Sequence, residues 1–331
     1  MTDYAVLFPG QGSQNKYMLR NFDGDDIFDE SINTSSQILG YDIKKIIEDE
    51  SKLNNTLYTQ PIMVATSIAI WRSFLSQSNE MPVYAAGHSL GEYSALVANG
   101  TLSLEDCLKV VTERAKYMVE AMTGVEGGMA AIMSNDPDIN WSATVEATCE
   151  SLSDDREFIE PVNYNSPNQI VIAGHKKIIE SCESEFKTRG IKRVIVLPVS
   201  VAAHSSIMST CSDKLYKLLN NINILETDSF FPVLHNTDAS KKNSKVDIIK
   251  SLCDQVCSPV LWETTIKKMF NNNISSFIEI GPGKVLTGLN SKILSKDDNI
   301  KCLSIDKIEN INEAVGVNND WIKSRVGYRC K

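Results

Sequence analysis

The chain has 331 residues, 42% of them hydrophobic and 23% charged, an ordinary balance for a globular protein with a large buried core. A formal net charge of −9 gives no general attraction to nucleic acid or to an acidic membrane. No apolar run reaches the roughly eighteen residues that a membrane span needs. Nothing basic or signal-like precedes the first strand-like run, so the expected setting is cytoplasmic. The eight cysteines, at 107, 149, 182, 211, 253, 257, 302 and 330, are scattered and expected to be reduced. Cys253 and Cys257 stand one helical turn apart, but no nearby Cys or His completes a metal site.

In chain order, strand-like and helix-like segments alternate, which predicts an α/β fold with a largely parallel sheet. Residues 4–8 read as a buried strand, followed by the loop 9–14. A long apolar helix runs to about residue 75 with Pro61 near its start, where proline is favoured. A short strand at 83–86 leads into a helix at 90–97. Ser103 and Asp106 form a capping pair for the helix that continues through Arg114 to about 119. Between 124 and 198 the order becomes strand 129–134, helix 139–150, strands 159–164 and 169–173, helix 176–189, strand 192–197. That β-α-β-β-α-β order is the ferredoxin-like motif. It predicts a small subdomain at 124–198, opened by Gly124, Gly127 and Gly128 and closed by Pro198, inserted in a larger unit made of 1–123 and 199–331. Strands at 231–235 and 276–280 and helices at 246–255 and 284–294 follow. The polar tail beyond about 308 is expected to be peripheral.

The sharpest local signal is Gly87-His88-Ser89-Leu90-Gly91 between a strand and a helix, the setting of a nucleophile elbow. There Ser89 is a candidate nucleophile, with the free N–H groups of the next helix near its hydroxyl. A serine needs a base, and the chain has four histidines, at 88, 175, 204 and 235. His88 adjoins Ser89 and should point away from the base position, lining the pocket instead. His175 follows a strand of the insert. His204 lies where the chain re-enters the large unit, and position favours it.

Taken together, several blocks resemble a known family. They are Gly10-Gln11-Gly12-Ser13-Gln14, Gly87 to Ala95, Arg114 in Glu113-Arg114-Ala115, Asn163 to Gln169, His204, Gln255 to Trp262 and Glu279 to Leu286. In this order, from about residue 3 to 305, they look like the malonyl-CoA:acyl carrier protein transacylases, the acyltransferase family of fatty-acid and polyketide synthesis. The resemblance implies an α/β-hydrolase-like core with a ferredoxin-like insert. It also implies transfer of malonyl from coenzyme A to the phosphopantetheine thiol of acyl carrier protein through a seryl ester.

By the same resemblance, Ser89 is the nucleophile and His204 the general base and acid. The backbone N–H groups of Gln11 and Leu90 form the oxyanion hole, and Arg114 binds the malonyl carboxylate. The main-chain carbonyl of Gln255 orients His204, which predicts a mild effect of Gln255→Ala. His88 and Asn163 are secondary pocket contacts. Ala203, small where relatives often carry serine or phenylalanine, leaves room for some methylmalonyl tolerance. No metal or permanently bound cofactor is implied. The partners are a CoA thioester and the acidic carrier protein, docked by basic residues among Lys187, Arg189, Lys192, Arg193 and Lys284. The alternatives are a discrete polyketide-synthase acyltransferase with the same chemistry, an esterase or thioesterase sharing the elbow, and a non-catalytic carrier-docking module.

Overall fold

The computed structural model describes residues 3–78, 80–134, 136, 141–226, 231–295 and 299–316. The first two residues of the helix expected from 139, Cys330 and the tail from 317 lie outside them. The strands are β1 (Tyr4–Phe8), β2 (Tyr84–Gly87), β3 (Gly127–Met133), β4 (Ile159–Ser166), β5 (Gln169–His175), β6 (Arg193–Val196), β7 (Val233–Leu234), β8 (Ser276–Ile280) and β9 (Lys301–Ile305). The helices before the third strand are α1 (Asp26–Leu39), α2 (Ile43–Ile46), α3 (Glu50–Leu53), α4 (Thr56–Gln77), α5 (Gly91–Ala98) and α6 (Leu104–Ala121). After it come α7 (Trp141–Leu152), α8 (Lys176–Ser181), α9 (Glu183–Thr188), α10 (Ser209–Leu219), α11 (Lys245–Gln255), α12 (Trp262–Asn271) and α13 (Val285–Ile293).

Five strands form one sheet in the order β7-β2-β1-β8-β9, with every pairing parallel. Such a sheet must be covered on both faces, and alternate residues of β1 show it. Tyr4, Val6 and Phe8 pack among α1, α4, α6, α10 and α11, whereas Ala5 and Leu7 pack with α12 and α13. Parallel strands present their carboxyl ends at one edge, so the loop after β1 and the turn after β2 are neighbours there; Phe8 is in register with Gly87. Strands β4-β5-β3-β6 form a second, antiparallel sheet. One face is sealed by Val145, Cys149, Ile178, Ile179 and Phe186 of its own helices. The other carries Met129, Ala131, Val162, Val171 and Ala173, which pack with Ala202, two residues before His204.

Several elements depart from expectation. Pro61 is the sixth residue of α4, because the Asn55 side chain caps the helix a turn and a half earlier, at Leu57 N–H. The expected helix 176–189 breaks at Cys182 into α8 and α9. Helices α1, α2, α3, α10 and α12 and the edge strand β9 were not foreseen. Residues 309–316 are helical and bury Ile311 and Ala314 in the main core, so the chain just past 308 is not peripheral. No described helix is long and apolar enough to cross a membrane. The seven described cysteines are all free.

Candidate active site

Ser89 has φ 51°, a left-handed conformation that costs a residue with a side chain about 1–3 kcal/mol and survives only where its surroundings enforce it. The glycines of the motif make the turn possible. A Cβ on Gly87 would fall 1.9 Å from the Gly91 carbonyl, and one on Gly91 would fall 2.0 Å from the Phe8 oxygen. Gly10 is also pressed close, where a Cβ would meet the His88 oxygen at 2.6 Å. These contacts bring the loop after β1 against the elbow.

The Ser89 hydroxyl donates to Nε2 of His204 at 2.6 Å. His204 has φ 66°, is 3% exposed, and anchors its own N–H on the Val256 carbonyl. Its Nδ1 lies 2.6 Å from the main-chain carbonyl of Gln255. A carbonyl only accepts, so Nδ1 carries the hydrogen and Nε2 presents its lone pair to the serine. Burial, then the nearby Arg114 guanidinium, push the imidazole pKa down to about 3, against the opposing pull of the Gln255 carbonyl. The ring is therefore neutral near pH 7 and able to take the serine proton.

Around the elbow most main-chain donors are occupied. Gly91 N–H closes on the His88 carbonyl and Glu92 N–H on the Ser89 carbonyl, while Ser89 N–H goes to Oδ1 of Asn236. The N–H groups of Leu90 and Gln11 have no acceptor among the described residues. Two free amides beside a serine hydroxyl are what a developing oxyanion requires.

Arg114, on α6, is 1% exposed, with its guanidinium over the Tyr93 ring. Nη1 donates to Oε1 of Gln60 at 2.7 Å and Nη2 to Oε1 of Gln255 at 3.2 Å, while Nε has no partner. Both acceptors are neutral amides, and no carboxylate pairs with Arg114 among the described residues. A buried cation normally has a counter-ion. This one has only neutral acceptors among the described residues.

Sequence reasoning missed the polar scaffold beneath these groups. The Gln255 side chain, besides accepting from Arg114, donates to the Ser89 carbonyl at 3.0 Å and to Glu92 at 2.9 Å. Gln60 donates to Thr56, which in turn donates to the Gln11 side chain, so hydrogen bonds run from the guanidinium to the loop after β1. Glu92 is fully buried between His235, Asn236 and Gln255. His88 does not bond Asn163. Its Nε2 meets Asn165 at 2.7 Å and its ring lies 5.5 Å from that of Trp262, and burial lowers its pKa. Asn163 is buried with its Nδ2 unpartnered, in a strand bridged to Val260. Of the basic residues, Lys187 pairs with Glu183 and Arg189 with Glu185, each one turn back on α9, and Lys284 stands 3.7 Å from Asp306. Lys192 and Arg193 are exposed and have no acidic partner among the described residues.

The family model for the acyl transferase domain matches residues 6–311. The chain belongs to the acyl transferase family. As an acyltransferase it is 38% identical over 297 residues to the malonyl CoA-acyl carrier protein transacylase of Salmonella typhimurium, covering 89% of this chain and 94% of that one. Its fold superposes with a TM-score of 0.89 on the malonyl CoA-acyl carrier protein transacylase of Coxiella burnetii, at 33% identity, covering 95% of this chain and 97% of that one. A malonyl-transacylase solved in complex with its type II polyketide synthase acyl-carrier protein gives a TM-score of 0.87 at 34% identity, covering 95% and 99%. The serine, imidazole and unpaired guanidinium of this acyltransferase are thus set in a fold shared with malonyl-transferring proteins.

Proposed function

We propose that the chain moves a malonyl group from malonyl-CoA to the phosphopantetheine thiol of acyl carrier protein through an ester on Ser89, in the service of fatty-acid synthesis. The observation that carries this reading is the buried Arg114, without a carboxylate partner, beside the Ser89–His204 pair. A two-pronged bond to the free malonyl carboxylate would complete it.

In the first half-reaction Ser89 Oγ attacks the thioester carbonyl as its proton passes to His204 Nε2. The carbonyl oxygen, now negative, is met by the amides of Leu90 and Gln11. Collapse expels the CoA sulfur, which takes the proton from His204. In the second half the carrier thiol gives its proton to His204, attacks the ester, and Ser89 leaves with that proton. Every charge and proton is handled by these side chains and amides, so the reading requires no resident cofactor.

The esterase alternative calls for an acid at His204 Nδ1, where the Gln255 carbonyl stands. Without a carboxylate there, the imidazolium is less favoured and the base is held weak, which suits an ester that must wait for a thiol. The strand order β4-β5-β3-β6 fits a ferredoxin-like subdomain at 124–198 inserted in a hydrolase-like unit of 1–123 and 199–331. Free cysteines throughout the described residues fit a cytoplasmic setting. Lys192 and Arg193 are the strongest of the basic candidates for the carrier, since those on α9 are already paired.

Mass spectrometry of the intact protein mixed with malonyl-CoA, then with acetyl-CoA, tests the reading. A malonyl adduct that is absent from Ser89→Ala, outweighs the acetyl adduct and is discharged by holo carrier protein supports it. A wild-type protein that gains no adduct overturns it.

A further inference from the structure

Ser89 is gripped from behind by a residue more than 140 positions away. Oδ1 of Asn236 accepts the Ser89 N–H at 2.7 Å, and Nδ2 of the same side chain donates to the Gly87 carbonyl at 2.7 Å. One carboxamide therefore spans the elbow, tying the end of β2 to the nucleophile. Asn236 is itself fixed, since its main-chain N–H donates to Oε2 of Glu92 at 3.0 Å and it is 1% exposed. Glu92 lies on the first turn of α5, with its other oxygen 2.7 Å from Nδ1 of His235. The turn, the strand end and the helix start are thus closed into one buried unit.

This has a chemical consequence. The N–H of Ser89 could otherwise compete for the carbonyl oxygen of a bound thioester, or for the serine's own carbonyl environment if φ relaxed. With that donor occupied, the amides of Leu90 and Gln11 remain without an acceptor among the described residues. We propose that Asn236 is a positioning residue for acyl transfer: it keeps Ser89 in its left-handed conformation, aimed at His204, and reserves the Leu90 amide for the oxyanion. The inference rests on Ser89 being the nucleophile but is independent of which acyl group it carries.

The test compares the wild type with Asn236→Ala and the near-isosteric Asn236→Asp. It measures the rate at which a fluorophosphonate modifies Ser89, together with kcat and KM for malonyl transfer. Losing the clamp misplaces the hydroxyl, so Asn236→Ala should label and turn over roughly ten- to a hundredfold more slowly. Its KM for malonyl-CoA should stay within about twofold, because the contacts of Arg114 are untouched. Asn236→Asp keeps an acceptor for Ser89 N–H but sets an ionised oxygen against the Gly87 carbonyl. Protonation restores the missing donor, so its rate relative to wild type should climb as pH falls from about 8 to about 5. Labelling of Asn236→Ala at the wild-type rate, a loss confined to KM, or a pH-independent ratio for Asn236→Asp would overturn the proposal. A wild-type protein that the probe leaves unmodified removes the nucleophile itself, and the function built on it.

Discussion

Gln255 meets His204 and Arg114 with different atoms: its main-chain carbonyl lies 2.6 Å from Nδ1 of the imidazole, and its side-chain Oε1 accepts from the guanidinium at 3.2 Å. The same residue therefore sets the base and steadies the carboxylate site. This changes the expectation for its replacement. Gln255→Ala keeps the carbonyl but strands a guanidinium N–H, and it removes one of two donors from Glu92 Oε2 and from the Ser89 carbonyl. The stranded donor costs about 1–3 kcal/mol, and the two weakened acceptors add less. Malonyl kcat/KM should fall about ten- to a hundredfold instead of mildly, while His204→Ala should cost about 10²–10⁴-fold. A near-wild-type Gln255→Ala would show that only the main chain matters.

On the proposed function, Arg114 selects which acyl group is accepted. A charge-assisted bond to the malonyl carboxylate contributes about 1.5–3 kcal/mol, and an acyl group without it leaves a buried cation unpaired. Arg114→Ala should lose at least tenfold in malonyl transfer and gain in acetyl transfer. Competition between the two thioesters in one reaction measures this as a ratio. An unchanged malonyl preference would take Arg114 out of the site.

The pH profile follows from the imidazole. An exposed histidine gains its proton near pH 6.5, but burial and the Arg114 charge hold His204 neutral down to about 3. The base form should persist as pH falls through 6.5, so Ser89 acylation at pH 5 should keep most of its neutral-pH rate. Rapid-quench measurement of the acyl-enzyme between pH 4 and 8 checks it. An acid limb centred near 6.5 would mean that the ring is hydrated in the working enzyme.

Glu279 carries a second pH signature, this time in stability. Desolvation raises its carboxyl pKa to about 7, although Thr287 and the Leu286 N–H hold its oxygens. In the fold it keeps a proton that the unfolded chain releases near 4.5, so its contribution is full below that value and is lost as pH rises towards 7. The thermal midpoint of wild type relative to Glu279→Gln should therefore drop between pH 5 and pH 8. A constant difference would contradict this.

How far the sequence carries such a site depends on the kind of residue involved. Ser89 announces itself because glycines two positions to either side mark a turn that no other spacing suits. His204 emerges because a base must be titratable and only four histidines exist. Asn236, Gln60 and the Gln255 side chain leave no comparable trace, since carboxamides are ordinary surface residues and their partners lie 54 to 166 positions away. Glu92 sat inside a quoted motif, yet its partnership with His235 needed β7 placed beside β2. Strand β9 begins with a lysine and pairs on one side, so its hydrophobic signal is diluted. Pro61 misled because proline favours first turns, whereas tertiary packing of α4 extends that helix backwards to Asn55.

The register of Phe8 with Gly87 also fixes when the enzyme can become competent. The Gln11 amide follows β1 and the Leu90 amide follows β2, and the strands are joined by the whole α1–α4 crossover. Non-local parallel pairing of that kind forms late, after its loop-closure entropy has been met. On the proposed chemistry, a nascent or half-collapsed chain holds the serine without its two amides, and would not squander thioester by premature hydrolysis. Return of Ser89 reactivity during refolding is accordingly a clock for completion of the central sheet.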